Sequence, residues 1–231
     1  AEQRPVLATL LRGVQVTVGV TLVSFAAASV LGLALALMSL SRSLLLRQVA
    51  RFYTEILRGL PILVLLLYVA FVLAPALVAG WNWIAGHLGL DPARVRDFPL
   101  LWRAVLALTL GYAAFLAEVF RAGLLSVPEG QIEAAQALGL SDWQRFRLIV
   151  LPQALRTILP PLGNDFVAMV KDSSLVSVLG VLDVTQLGKV TAAGNFRYFE
   201  TYNVVALIYL TLTIGLSLLL RRLEARLRAR P

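Results

Sequence analysis

Five separated apolar runs, each near the length needed to cross a bilayer, limit what this chain can fold into more than any other feature. They cover about Val14 to Met38, Pro61 to Ala79, Leu101 to Leu125, Leu155 to Leu182 and Val204 to Leu220. About 20 apolar residues in a helix match a hydrocarbon core ~30 Å thick. The apolar share is 59% and the mean hydropathy is +0.81, well above the roughly 45–50% apolar content of a soluble domain. The runs are continuous rather than alternating, so the expected fold is all-α and integral to the membrane, one domain over residues 1–231 with five spans. In the first span Ala28, Gly32 and Ala36 lie four apart, a small-residue stripe suited to close helix contact. Trp81, Trp83, Trp102, Tyr198 and Tyr202 fall beside span ends, as an interfacial aromatic belt requires.

Charge placement orients the spans. Thirteen of the 21 lysines and arginines fall in the 1–2 loop, the 3–4 loop and the C-terminal tail, and seven fall on the opposite side. This bias puts the N-terminus outside and the C-terminus in the cytoplasm of a multi-pass membrane protein. The formal net charge of +8 is read as juxtamembrane attraction to anionic lipid, ~1 kcal/mol per charge near the surface, and not as a nucleic-acid footprint. The sequence has no cysteine and a single histidine, His87, so disulfides, thiolate chemistry and a Cys- or His-based metal site are excluded. His87, in the Trp-rich outer segment, is expected to be solvated. The chain opens at Ala1 without a methionine or a signal-peptide pattern, so a missing true N-terminus is an open expectation.

Between the third and fourth runs lies a polar, helix-capable insertion, Ser126 to Pro152. Ser126 and Glu129 have the spacing of a capping box with Pro128 in the first turn, so a helix is expected over about 127–138. Gly139 can take the left-handed conformation that ends it, and Ser141 with Gln144 starts a second helix, Asp142 to Val150. A solvated connector, a DNA-binding helix-turn-helix and a docking helix all fit helix, glycine, helix. The DNA reading fails, because Trp143, Phe146, Leu148, Ile149 and Val150 lead into a membrane span rather than offering a polar face to bases. Ala134 and Ala135 permit close approach, Ile132 and Leu138 supply apolar surface, and Glu129 and Glu133 supply charge.

Glu133-Ala134-Ala135, then Gly139, then Ile149, Leu151 and Pro152 in register before a span resembles the EAA loop of permease subunits in bacterial ATP-binding-cassette importers. VPEGQ at 127–131, RGLP at 58–61 and KDSSL at 171–175 resemble the polar amino acid branch, and the similarity covers nearly the whole chain. The resemblance implies a type I importer permease fold whose coupling helix seats in a groove of an ATPase subunit through Glu133, Ala134, Ala135 and Gly139. It also implies a location in the bacterial inner membrane, a second permease subunit, identical or paralogous, an extracytoplasmic solute-binding protein and a polar amino acid as substrate. No cofactor is expected on this chain, because it lacks a G-x-x-x-x-G-K-[ST] phosphate loop; ATP and Mg belong to the partner ATPase. The competing classes are an ion-gradient-driven secondary transporter, which commonly carries internal repeats not visible here, and a membrane assembly protein without transport.

Ionisable groups within the runs mark the remaining candidates. Lys171 and Asp172 each cost roughly 2.5–3.5 kcal/mol if placed centrally in a span, so they should face protein or a water-filled cavity. Asn164 with Lys171, and Asp165 with Asp172, repeat at seven residues and with Ser174 form one polar arc. Two readings stay open: this arc lines a substrate pathway, or Lys171 and Asp172 form an ion pair fastening the fourth span to a neighbour through Glu118 or Arg121. Glu118 with Arg121, and Glu55 with Arg58, have i, i+3 spacing and are expected to be structural ion pairs.

Overall fold

The computed structural model describes residues 3–228, with side chains described for 7–226. The tail arginines Arg228 and Arg230 therefore lie outside the described side chains. Among the described residues the chain is helical, with no strand. Four helices are long and apolar enough to cross a membrane: Leu7–Ser39, Ile62–Leu88, Leu100–Leu125 and Tyr198–Arg226. The first belongs to α1, Gln3–Ser39, and the last to α10, Tyr198–Arg228.

The centre of the bundle is α5, Leu100–Leu125, whose side chains are small where neighbours come close. Its principal partner is α1. The Ala28-Gly32-Ala36 stripe makes that contact: Ala28 and Ala36 are buried, and a Cβ on Gly32 would lie 2.9 Å from Leu116 Cβ and 3.0 Å from the Ala113 carbonyl. Close approach of backbones supplies the van der Waals contact that holds helices together where lipid competes for apolar surface. The expected packing role of the stripe is therefore met by a named partner face.

The second run begins after Pro61, as expected, but continues past Ala79 to Leu88 as α3 (Ile62–Tyr68), a π turn (Val69–Leu73) and α4 (Ala74–Leu88). The π turn immediately precedes Pro75. Proline cannot donate to the carbonyl four residues back and its ring crowds that carbonyl, and a locally widened turn relieves both problems without ending the helix. The same device recurs at Phe146–Val150, just before Pro152.

Two segments depart from expectation. Residues 44–59, read as loop, form α2, Leu44–Gly59, which packs Ala50 and Thr54 inward against α1 and α5. The run expected as one span from Leu155 to Leu182 is helical only to Asp172, as α8 (Leu151–Asp172), then tightens to a 3-10 helix at Ser173–Leu179. The turn at Gly180 leads to an unexpected helix, α9, Val184–Asn195. By composition α8 is not a lipid-facing span: it carries Arg156, Asp165, Lys171 and Asp172 and packs against α5, α10 and α1.

At the other end of the molecule Arg103, in the first turn of α5 and one of the seven charges assigned to the outer side, is buried. Its guanidinium donates to the carbonyls of Ala70 (2.9 Å), Phe98 (2.7 Å) and Val95, tying the 89–99 segment to the bundle. His87 is exposed, as expected, with Nδ1 2.7 Å from the Trp83 carbonyl and its ring beside Trp83.

Candidate coupling elbow and pathway face

The polar insertion folds into α6, Glu129–Ala137, an elbow, and α7, Asp142–Arg145. The expected Ser126–Glu129 capping box does not form. Pro128 occupies the N-cap position, and Ser126 ends α5 instead, its hydroxyl donating to the Gly123 carbonyl at 2.7 Å and meeting Thr157 Oγ1 at 3.1 Å. The second box does form: Ser141 N–H donates to Gln144 Oε1 (2.9 Å) and Gln144 N–H to Ser141 Oγ (3.3 Å).

Gly139 has φ +77°, a left-handed conformation that glycine adopts without steric cost. Its N–H donates to Gln136 O at 2.9 Å, and Leu140 N–H donates to Ala135 O at 3.1 Å. This is a complete Schellman closure. The EAA residues divide around it. Glu133 and Ala134 are exposed, whereas Ala135 is buried beneath the elbow. Leu138 is 82% exposed, an apolar group held out at the tip.

Two side-chain links, not foreseen from sequence, brace the elbow against the helices on its C-terminal side. Arg145 donates to Gln136 Oε1 at 3.3 Å and to Asp142 Oδ1. Gln153 Nε2 donates to Gln131 Oε1 at 2.6 Å and to the Ile149 carbonyl at 3.0 Å. The chain from Asp142 through the π turn to Asp172 is helical without interruption. The Gln131–Gln153 bond thus joins α6 directly to the first turn of α8. The glutamines gave no warning in the sequence, because a link between side chains 22 residues apart has no local spacing rule.

The polar arc of α8 splits over two faces. Asn164 and Lys171 are exposed, and Lys171 joins Val167, Thr213, Ser217 and Arg221 around a 330 Å³ cavity between α8 and α10. Asp172 turns toward α5, where buried Tyr112 donates to Asp172 Oδ2 at 2.7 Å. Asp165 lies within electrostatic reach of the same phenol. No ion pair joins Lys171 to Asp172, nor either of them to Glu118 or Arg121, among the described residues, so the fastening ion pair is corrected to a tyrosine–carboxylate bond. Adjacent residues on a helix point about 100° apart, so Lys171 and Asp172 naturally diverge. Ser174 is partly exposed in the 3-10 segment, its carbonyl accepting from the Ser177 hydroxyl at 2.7 Å.

The remaining pairs resolve differently. Glu118 and Arg121 form a half-exposed ion pair, 2.7 Å apart. Glu55 pairs with Arg51 at 2.7 Å and not with Arg58, which instead lies over the Phe115 ring at 5.8 Å. The i, i+4 partner reaches Glu55 more easily on this helix face. A buried carboxylate passed over in sequence is Asp183, the N-cap of α9: it accepts from Gln186 N–H (2.8 Å) and from Tyr209 Oη (3.0 Å), joining α9 to α10. An Asp immediately before an apolar helix was the available signal.

This architecture, a bundle entered from a polar elbow on one helix, is that of a transporter membrane subunit. The chain belongs to the family described as the inner membrane component of binding-protein-dependent transport systems, whose model matches residues 28–229. It is 35% identical over 224 residues to the glutamine transport system permease protein GlnP of Escherichia coli (strain K12), covering 97% of this chain and 95% of that one. It is 37% identical over 215 residues to the octopine transport system permease protein OccM of Rhizobium radiobacter, covering 93% and 84%. Among solved structures, an amino acid ABC transporter crystallised with histidines matches with a TM-score of 0.79 at 33% identity, covering 95% of this chain and 94% of that one. A methionine ABC transporter, MetNI, in an inward-facing form shares the fold with a TM-score of 0.73 at 24% identity, covering 96% of this chain and 98% of that one. The protein is a multi-pass inner-membrane permease subunit with a type I importer fold, and such an importer works with ATPase and binding-protein partners.

Proposed function

We propose that this chain forms the translocation path of an ATP-driven importer of polar amino acids. It takes its energy from a partner ATPase docked on the exposed face of α6. The observation that carries this reading is the elbow: Glu133, Ala134 and Leu138 face outward on a helix whose closure and side-chain links tie it to α8. ATP hydrolysis with its Mg takes place in that partner, since no phosphate loop exists on this chain. Two permease subunits enclose the path and an extracytoplasmic binding protein delivers the solute. Amino acid transport in the named relatives supports the substrate class.

The arginine-rich ends put α6 and the C-terminus in the cytoplasm and the N-terminus outside. Exposed Asn164 and Lys171, partly buried Asp165 and Asp172, and Ser174 contribute to the path, where charged groups are tolerated next to water and substrate. Uptake of labelled amino acids into proteoliposomes carrying the whole complex tests the reading. Uptake should require internal ATP and persist with a protonophore. Uptake abolished by the protonophore despite ATP supports the ion-driven alternative. In the same cysteine-free protein, Asp91→Cys and Leu138→Cys should react from opposite sides of the membrane; reaction of both from one side overturns the orientation.

A further inference from the structure

Helix α2 presents three stripes: one packed into the core, one apolar and exposed, and one lining a cavity. Ala50 and Thr54 are buried, with Tyr53 and Leu57 packed beside the core. About 120° round the helix, Leu45, Val49, Phe52 and Ile56 form a continuous apolar stripe, and Leu45 and Phe52 are 72% and 68% exposed. On the third side Arg47, Arg51, Glu55 and Arg58 line a cavity of 810 Å³ between α2, the end of α1 and the last turns of α5. An exposed apolar stripe beside a basic one is the pattern of a helix lying in a membrane interface.

The charge in the cavity is unbalanced. Glu55 is taken by Arg51 and Glu118 by Arg121. Arg47 and Arg58 have no carboxylate partner among the described residues, and Arg58 is held over the Phe115 ring. Leu35, Leu44 and Phe115 add apolar wall, while Ser39, Gln48 and Thr54 add hydrogen-bonding groups. Guanidinium groups match phosphate oxygens in a forked geometry. The cavity opens at the end of the bundle that carries α6, the end where the charge bias puts the anionic leaflet. Basic pockets between helices at that level suit anionic headgroups.

We propose that this cavity is a binding site for an anionic phospholipid. Arg47 and Arg58 hold its phosphate, the Leu35–Leu44–Phe115 wall takes the glycerol and first methylenes, and the apolar stripe of α2 rests in the same leaflet. The site is separate from the path on α8. Its occupant is a structural element of the α1–α2–α5 corner, beside the elbow.

The test uses the assembled complex in nanodiscs of phosphatidylcholine containing phosphatidylglycerol, with a photoreactive benzoylphenylalanine at exposed Gln48. Illumination should yield a phosphatidylglycerol adduct on the α2 peptide, and native mass spectrometry should show the same lipid retained after detergent extraction. Each of Arg47→Gln and Arg58→Gln should weaken retention roughly fivefold, and the pair roughly 30-fold, at ~1 kcal/mol per charge. Arg47 is exposed and unpaired, so its variant should fold even where the double variant does not. Arg222→Gln with Arg226→Gln at the exposed end of α10 should leave the adduct unchanged. Equal loss with the α10 variant means diffuse attraction and overturns the site. Displacement of lipid by millimolar inorganic phosphate assigns the cavity to a soluble anion. An adduct with the ATPase or the second permease assigns it to a protein. Lipid retention does not depend on orientation, so its failure is distinguishable from failure of the cytoplasmic assignment, which the Asp91 and Leu138 cysteine labelling reads separately.

Discussion

The elbow at α6 and the upper half of α8 are both rich in polar side chains, but their polar groups are used in opposite ways. In the elbow the serine, glutamine and arginine side chains bond to the chain itself, Ser141 with Gln144, Gln136 with Arg145 and Gln131 with Gln153, while Glu129 and Glu133 stay exposed. On the C-terminal half of α8, Asn164 and Lys171 are exposed, and Asp172 is tied to Tyr112. Satisfied hydrogen bonds make a rigid part, whereas open ones in a low-dielectric setting are costly unless water or a ligand reaches them. The first region therefore suits transmission of movement and the second suits contact with what is moved. Changes in the elbow should uncouple the machine, and changes on α8 should alter what it accepts.

The largest expected effect is at Gly139. Valine there is forced into a left-handed conformation that costs at least about 1–2 kcal/mol, and the Schellman closure opens. Gly139→Val should lower substrate-stimulated ATPase in the reconstituted complex by roughly tenfold, the equivalent of ~1.4 kcal/mol, while the permease still inserts. Unchanged stimulation contradicts the role given to the elbow. Glu133→Lys should act in the same direction through the docking face, by placing a like or mismatched charge against the partner. The discriminating feature is that Glu133→Lys leaves the isolated permease as thermally stable as before.

Arg145→Ala comes next. It removes the link to Gln136, and hydrogen bonds to a charged group contribute about 1.5–3 kcal/mol. Stimulated ATPase should fall severalfold without a change in apparent substrate affinity. A shift in affinity instead would erase the proposed division between the two regions.

On α8 the sharper probe is Lys171→Ala combined with Asp172→Ala, since neither residue relies on the other for charge balance. The double variant should assemble and should change the apparent affinity or selectivity of uptake. Normal assembly with unchanged rate and affinity removes both residues from the path. Asp172→Asn keeps an acceptor for Tyr112 and should separate the positioning of α8 against α5 from the effect of charge. The smallest effect is expected at Ser174→Ala, which removes a hydroxyl without stranding a charge: the fold should hold, and only uptake affinity should shift.

Much of this was legible in the sequence where the rule is local. The Gly139 stop, the Ser141 box and the small-residue stripe in α1 are set by residues within a turn or two of each other, or by a period that survives in the fold. The α8 region is misleading in sequence because hydropathy reports apolarity and not what a helix packs against. The contrast between α5 and α10 makes the point: the less apolar α5 window, mean hydropathy 1.7, is 67% buried, and the more apolar α10 window, 2.1, is 6% buried. In a membrane the interior is chosen by small size and polar partners, while apolar bulk is left to face lipid or another subunit. Residues 44–59 hide their helix for a related reason. Four arginines across 42–58 read as a loop by charge count, although three of them fall along one side of α2.

The central claim is that α6 and α8 move as one body, so that the partner's closure is felt along the path. With no native cysteine in the sequence, Gln131→Cys and Gln153→Cys can be joined by a short bifunctional thiol reagent where the two side chains already meet. The measurement is ATP-driven uptake and stimulated ATPase of that variant before and after cross-linking. The account predicts the same activity in both states, because the linkage fixes a contact that never opens during the cycle. Loss of transport on cross-linking, with recovery on cleavage of the linker, shows α6 hinging against α8 and contradicts it.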